Sequence, residues 1–391
     1  MSLSDIGIDA ISEADVTQLI ADGVQEGVRI EYKRQTYGSS DSDKKEYLKD
    51  ASSFANSYGG NLILGLDAVA GVPTAIVPFV GDADGELLRL ESLLRDGVEP
   101  RINGVQMRAV SVAGGHVFVV RVPRSWNPPH RVAFKGSNRF YARSSAGAFE
   151  LGVEELRAKF NSSAAAFQRA ASFRDRRLAL LASNEGIMPL ARDAGRLTIH
   201  VLPLGNGGEA VVDLDRAFTD ASELLQPIGR TGYSSEFNFD GFANFRSGKD
   251  VYGYTQIFRD GSIEATKVRI LASEREVSRI PARSLGDAII AAVPDYITAL
   301  QRLNVSPPFS VMVTLDGVRG SYLGYSQSQW IEDPAIIRRD TLPLPAVLID
   351  DFGPAQAYQS ALRPAFDALW NAGGLSACTY FGDDGSWRPH N

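Results

Sequence analysis

Arg29-Ile30-Glu31-Tyr32-Lys33, then Asp43 to Ser57, then Gly59-Gly60-Asn61-Leu62-Ile63-Leu64-Gly65-Leu66-Asp67 are the stretches that decide the N-terminal fold. The first alternates with period two, so Ile30 and Tyr32 share one face of a strand and Glu31 and Lys33 the other. In the second, Tyr47, Ala51, Phe54 and Ala55 recur at helical spacing. Asp43 followed by Glu46 predicts a capping box for a helix over 44–57. Gly59 and Gly60 end that helix, and the apolar run 61–66 reads as a buried strand that reaches Asp67.

Outward from there, strands and helices continue to alternate. Residues 86–96 are a second amphipathic helix. Residues 106–112 and 116–122 pair across Gly114-Gly115, and 131–134 and 139–142 across Gly136-Ser137-Asn138, before a closing helix at 153–160. Ala-, Ser- and Arg-rich sequence then predicts a helical connector over 161–190. Beyond it, strands at 197–202, 250–258, 262–271 and 309–315 and helices at 283–303 and 354–372 predict a second domain. The expected class is α+β: a mixed α/β domain over 1–160, the connector, and an α+β domain over 191–391 whose role is to sense a trigger, a partner or a substrate.

Composition narrows the function. The 391 residues hold 40 Lys and Arg against 47 Asp and Glu, a net charge of −7. No apolar run approaches the roughly 18 uncharged residues of a membrane span, so no membrane partner is expected. Met1-Ser2-Leu3-Ser4-Asp5 lacks the basic-then-apolar order of a signal peptide. The single cysteine, Cys378, cannot form an intramolecular disulfide, which suits a cytoplasmic location. With only His116, His130, His200 and His390 besides, a Cys/His zinc site is excluded, and any metal must be held mainly by oxygen.

Acids carry the candidate chemistry. Glu26 precedes the first strand, Glu31 lies in it, and Asp67 ends the strand after the first helix. Lys33 shares the face of Glu31, about 6.6 Å further along at 3.3 Å per residue. If the two strands are neighbours, three carboxylates and an ammonium converge at one sheet edge. Such carboxylates repel unless a proton or a cation joins them, and Mg²⁺ or Mn²⁺ is the natural occupant. The ion would activate water while Lys33 holds phosphoryl oxygens or orients the water. The alternative is a solvated strand face with an ordinary surface ion pair.

Basic residues are concentrated elsewhere. Between residues 100 and 149 stand Arg101, Arg108, Arg121, Arg124, Arg131, Lys135, Arg139 and Arg143, with no Asp or Glu, interleaved with Phe118, Trp126, Phe134, Phe140 and Tyr141. A basic, aromatic-studded segment in an acidic protein predicts a phosphate-binding groove, with Arg101, Lys135, Arg139 and Arg143 as the nucleic-acid contacts. The alternative is arginine on the wet face of a hairpin. Weaker signals fall away. Asp351-Phe352-Gly353 has no glycine-rich loop or His-Arg-Asp to accompany it. Gly60 and Gly65 lack the lysine of a phosphate loop, and Pro128-Pro129 interrupts any helix joining Arg124 to His130. Asn56 is a metal or substrate ligand or, more simply, a helix-end cap. Tyr252, Tyr254, Arg259 and Asp260 gather on a C-terminal hairpin without an assignable role.

The pieces also form a longer pattern. Glu26-Gly27-Val28-Arg29-Ile30-Glu31-Tyr32-Lys33, Ser53-Phe54-Ala55-Asn56-Ser57-Tyr58-Gly59-Gly60, Leu62 to Asp67, Val98-Glu99-Pro100-Arg101-Ile102 and Arg139-Phe140-Tyr141-Ala142-Arg143-Ser144 resemble, in order, the Schlafen AlbA-type (AlbA_2) domain. The resemblance covers most of residues 20–160. It implies that Glu26, Glu31 and Asp67 form a nuclease centre that cuts structured RNA, notably tRNA, with a divalent metal, in a family whose bacterial members often serve anti-phage defence. Ala68 stands where the family often has a second acid, so a backup ligand is missing. The expected function is a metal-dependent endoribonuclease, with Glu26, Glu31, Lys33 and Asp67 catalytic. The alternatives are a nucleic-acid-binding regulatory module or an ATP-binding effector. Animal Schlafen nucleases resemble two such lobes in one chain. The single lobe here therefore predicts a homodimer, with a monomer or a complex with a defence-system partner protein as the alternatives.

Overall fold

The computed structural model describes residues 3, 6–191, 195–205, 212–229, 232–246, 250–274, 277–325 and 334–389. Met1, Ser2, Ser4, Asp5 and His390 lie outside the described residues. The chain is α+β and divides into two compact units, Met1–Ala166 and Phe167–Asn391. No helix among the described residues is long and apolar enough to cross a membrane.

The first unit runs α1 (Glu13–Ala21), β1 (Ile30–Lys33), α2 (Asp41–Ala55), β2 (Gly60–Leu64), β3 (Leu66–Val69), β4 (Val72–Ile76), α3 (Ala83–Gly97), β5 (Val98–Glu99), β6 (Gln106–Val112), β7 (Gly115–Val122), β8 (Arg131–Val132), β9 (Arg139–Ser144) and β10 (Gly147–Glu150). Then α4 (Val153–Ala182) begins, one helix where the sequence suggests a closing helix and a connector, and the division between units falls inside it. The central sheet has the order β1-β2-β7-β6, with β1 parallel to β2 and at the edge; a second sheet has the order β10-β9-β8-β5.

Both faces of the central sheet are covered, which is why β2 carries Leu62, Ile63 and Leu64 in succession, all buried. On one side α2 and α3 set Tyr47, Leu48, Phe54 and Leu90 against Leu62, Leu64, Phe118 and Val120. Burial of each such side chain contributes about 1.5–3 kcal/mol. On the other side Leu3, Ile8, Ile11, Val16 and Leu19 cover Tyr32, Ile63, Val117 and Val119. Arg121 and Arg108 hold this N-terminal segment in place, donating to the carbonyls of Leu3, Ile6 and Ile8.

Two local expectations change. The N-cap of α2 is Ser40, whose hydroxyl accepts from the Asp43 amide, so the helix starts ahead of the expected box. The strand expected to run into Asp67 breaks at Gly65, which has φ +104° and donates to the Lys33 carbonyl at 2.8 Å. A side chain there would meet the Val77 carbonyl at 3.1 Å, so the turn is reserved for glycine. Asp67 consequently belongs to the separate β3–β4 hairpin.

In the second unit the strands are β11 (Arg196–Pro203), β12 (Ser234–Asn238), β13 (Gly241–Phe245), β14 (Gly253–Phe258), β15 (Ile263–Val268), β16 (Ala272–Glu274), β17 (Val277–Pro281), β18 (Phe309–Asp316), β19 (Tyr322–Gly324), β20 (Leu342–Pro343) and β21 (Val347–Ile349). The helices are α5 (Leu214–Thr219), α6 (Ala282–Arg302) and α7 (Ala355–Ala372). An antiparallel sheet of order β12-β13-β14-β15-β11-β18-β20, with β21 also on β18, buries Leu197, Ile199, Val201, Ile263 and Val311 in one core with Ile289, Val293, Phe366 and Trp370 of α6 and α7.

Candidate active site

The period-two alternation of β1 sends Tyr32 into the core and leaves Glu31 and Lys33 on the side of α2. There Lys33 Nζ lies 3.0 Å from Glu31 Oε1, 3.1 Å from Glu46 Oε1 and 3.2 Å from Asp50 Oδ2. Glu46 and Asp50 are one turn apart on α2, so both face the strand. Asp50 is buried and also accepts from the Tyr37 hydroxyl at 2.7 Å. Arg89 of α3 holds the loop that carries Tyr37, donating to its carbonyl at 2.6 Å.

Arg143 completes the centre from β9. Its Nη2 pairs with Glu31 Oε2 and its Nε donates to the Gly27 carbonyl at 2.8 Å. The guanidinium lies over the Phe54 ring, 4.5 Å from the centroid, and the side chain is only 2% exposed. Burial pushes the Glu31 carboxyl up, but Arg143 and then Lys33 outweigh it and hold the group below its usual range. For Lys33 burial pushes down, and Asp50 and Glu31 outweigh it, so the ammonium stays charged. Two cations and three carboxylates are thereby locked into one network.

The other expected acids stand apart. Glu26 Oε1 accepts from the Tyr32 amide at 2.8 Å, and its own amide donates to Gly71, which ties the start of β1 to the β3–β4 turn. Asp67 Oδ2 pairs with Arg34 at 2.9 Å. Among the described residues no group of three or more His, Cys, Asp or Glu is arranged to hold a metal. Both Glu31 oxygens meet cations, and Asp50 Oδ2 and Asp67 Oδ2 are engaged as well, so these acids as arranged do not fit a divalent ion. The residues missed by the sequence are Glu46, Asp50 and Tyr37. The four-residue step from Glu46 to Asp50 on the helix next to the strand was the available signal.

The basic segment divides by environment. Arg143 corrects the groove expectation: it is buried against Phe54 and bound to Glu31, because β9 lies beside α2 rather than facing water. Arg108 and Arg121 are likewise internal ties. Arg131, Lys135 and Arg139 reach the surface but pair with Glu99, Asp41 and Glu150, the latter two at 3.0 and 2.8 Å. Arg101 and Arg124 are exposed. Asn56 is the C-cap of α2, as the simpler reading expects; buried, its side chain also exchanges hydrogen bonds with the His130 backbone and donates to the Tyr141 carbonyl. His130 is buried between the Pro100 carbonyl and Ser125, and burial pushes its pKa down to about 4.

In the second unit Tyr254, on the β14–β15 hairpin, donates to Glu264 at 2.6 Å. Glu264 also takes a two-pronged pair from Arg177 at 2.9 and 2.8 Å and meets His200 Nε2 at 2.9 Å. Burial raises the Glu264 pKa, but His200 and Arg177 dominate and bring it to about 2.

Comparison with known proteins supports the domain identity. Residues 26–151 match the family model described as Schlafen, AlbA_2, so this segment is a Schlafen AlbA_2 domain, a type with nucleic-acid-related functions. No curated protein matches the chain. A crystal structure of the DIP2311 protein from Corynebacterium diphtheriae matches at 16% identity, covering 38% of this chain and 32% of that one, with a TM-score of 0.28. The N-terminal domain of a protein of Nitrosomonas europaea related to the ATP-dependent DNA helicase RecG matches at 26% identity, covering 33% of this chain and 86% of that one, with a TM-score of 0.26.

Proposed function

We propose that the first unit binds and cuts structured RNA, tRNA-like RNA among it, at the edge of β1. The observation that carries the proposal is Glu31 held ionised beside a charged Lys33 whose side chain is still 24% exposed. Lys33 is placed to meet the charge that builds on phosphoryl oxygens as the phosphodiester is attacked. Glu31, acidified by its two cations, is a weak base; it accepts a hydrogen bond that orients the attacking hydroxyl. That hydroxyl's proton passes to water as the new O–P bond forms, while the P–O bond to the departing oxygen breaks and that oxygen takes a proton from water. Arg143 and Asp50 position Glu31 and Lys33 from behind. Anti-phage defence, with a defence-system partner protein or a homodimer that doubles the nucleic-acid surface, is part of the same proposal.

The test is incubation of the pure chain with tRNA and with DNA, in Mn²⁺ or Mg²⁺ and in EDTA. Cleavage lost in Glu31→Gln supports the proposal, and retained binding without cleavage in every condition favours a regulatory binding module. Mn²⁺ dependence would require Arg143 to leave Glu31. Light scattering checks the assembly: a monomer's mass in a preparation that still cuts rules out the obligate dimer.

A further inference from the structure

Tyr58 follows a continuous buried run, Asp50 to Ser57, yet is 52% exposed itself. The turn that presents it is fixed. Gly59 donates to the Phe54 carbonyl at 2.9 Å and has φ +69°, and a side chain there would come within 2.6 Å of the Arg124 amide nitrogen. The Ser125 amide in turn donates to Ala55 at 2.8 Å. A two-torsion aromatic on a rigid turn loses little entropy when it meets a ligand.

Positive charge lies beside that ring. The Arg29 guanidinium carbon lies 6.0 Å from the ring centroid, and Arg29 is exposed. Arg124, also exposed, crowds Lys159: burial and then Arg124 push the Lys159 ammonium down, and Glu155 offsets them only in part. The turn is also wired to the acidic centre. Ser57 Oγ accepts from the Arg143 amide at 2.7 Å, and the same Arg143 grips Glu31. Arg29 precedes Glu31 by two residues, about 6.6 Å of extended chain.

We propose that Tyr58, with Arg29 and Arg124, forms a platform for one unpaired nucleobase and its flanking phosphate, beside the Glu31 centre. The ring stacks on the base and the guanidinium groups take the phosphate oxygens. A base inside a duplex offers no free face, so the platform selects single-stranded loops or ends. The proposal rests on the nucleic-acid role proposed above and names the element it recognises.

The experiment uses the full chain and a short single-stranded RNA carrying 2-aminopurine, with the matching DNA strand and an RNA duplex in parallel. Stacking quenches 2-aminopurine, so the wild type should quench both single strands and leave the duplex unchanged. Tyr58→Ala should weaken single-strand binding by about 5- to 100-fold and abolish the quench, while Tyr58→Phe keeps both. Arg29→Ala combined with Arg124→Ala should lower the slope of log K against log salt by about 0.7 for each lost phosphate contact. Unchanged affinity and quench in Tyr58→Ala would overturn the platform and leave the nucleic-acid role standing. A wild type that binds none of the three would overturn both.

Discussion

Replacing Arg143 by Met is the sharpest probe of the β1 centre, because two different roles predict opposite results. If the side chain faced a groove, its loss would cost little stability and much RNA affinity. In the structure it is 2% exposed and bound to a Glu31 side chain that is 16% exposed. Breaking a buried pair from one side costs about 3–5 kcal/mol. Lys33 remains on the other Glu31 oxygen at 3.0 Å, so the expectation moves to the low end, about 2–4 kcal/mol. A double-mutant cycle with Glu31→Gln should show a coupling of about 1.5–3 kcal/mol, the range of a charged hydrogen bond. Urea unfolding followed by hydrogen exchange on peptides from residues 26–64 reads the correct unit. The pH dependence gives an independent check. The folded carboxyl of Glu31 titrates below its unfolded value of about 4.3, so its contribution is complete above that pH and is lost as pH falls through the lower folded value. Arg143→Met should shrink that acid-side loss. Coupling under about 0.5 kcal/mol would return Arg143 to the solvent.

Three further outcomes follow from the same geometry. Asp67→Ala should reduce cleavage by less than about tenfold, whereas Glu31→Gln, which loses the orienting acceptor, should cost about 10²; equal losses in a rate assay would mean that the β3–β4 hairpin closes onto the centre during the reaction. Glu264→Gln should destabilise the second unit by about 3–5 kcal/mol, because it leaves Arg177 buried and unpaired. In the wild type the Glu264 contribution is held above pH ~4.3 and lost as pH falls toward its folded value of about 2, so acid unfolding curves of wild type and variant should converge. Glu150→Gln and Asp41→Asn, which unmask Arg139 and Lys135, should tighten RNA binding in a low-salt titration; unchanged affinity would remove both cations from the interface.

Much of the first unit was legible because its signals are local. The alternation in Ile30–Lys33, the apolar face around Phe54 and the glycines at the β6–β7 turn each dictate their element within a few residues. Failures came where a distant partner decides. Leu62 to Leu66 carries no polar side chain, and only the approach of the Val77 carbonyl to Gly65 shows that the strand ends there and Asp67 departs with β3. The covering segment around Leu3, Ile8, Ile11 and α1 is not legible locally, since its apolar residues match a sheet face formed by strands far along the chain. Nothing local in the sequence marks Asp50, because its burial against Lys33 and Tyr37 is set by the β1–α2 loop and by Arg89 of α3.

The basic segment shows why a charge count along the chain differs from a field in space. Coulomb interactions act over about 8–10 Å in salt water regardless of sequence distance, and acids from outside residues 100–149 fold into that range. Asp41, Glu150 and Glu99 meet Lys135, Arg139 and Arg131, so three surface cations of a stretch free of acids in sequence are matched by acids from outside it. The pairs are not equivalent, however. Those of Lys135 and Arg139 have both side chains at least half exposed and contribute about 0–1 kcal/mol, so a phosphate array competes with them readily. The Arg143 guanidinium is closed to water and stacked on Phe54, and a phosphate cannot reach it without opening the fold. Cations that nucleic acid can reach are therefore selected by exposure, which removes Arg108, Arg121 and Arg143 and leaves Arg29, Arg101, Arg124, Arg131, Lys135 and Arg139.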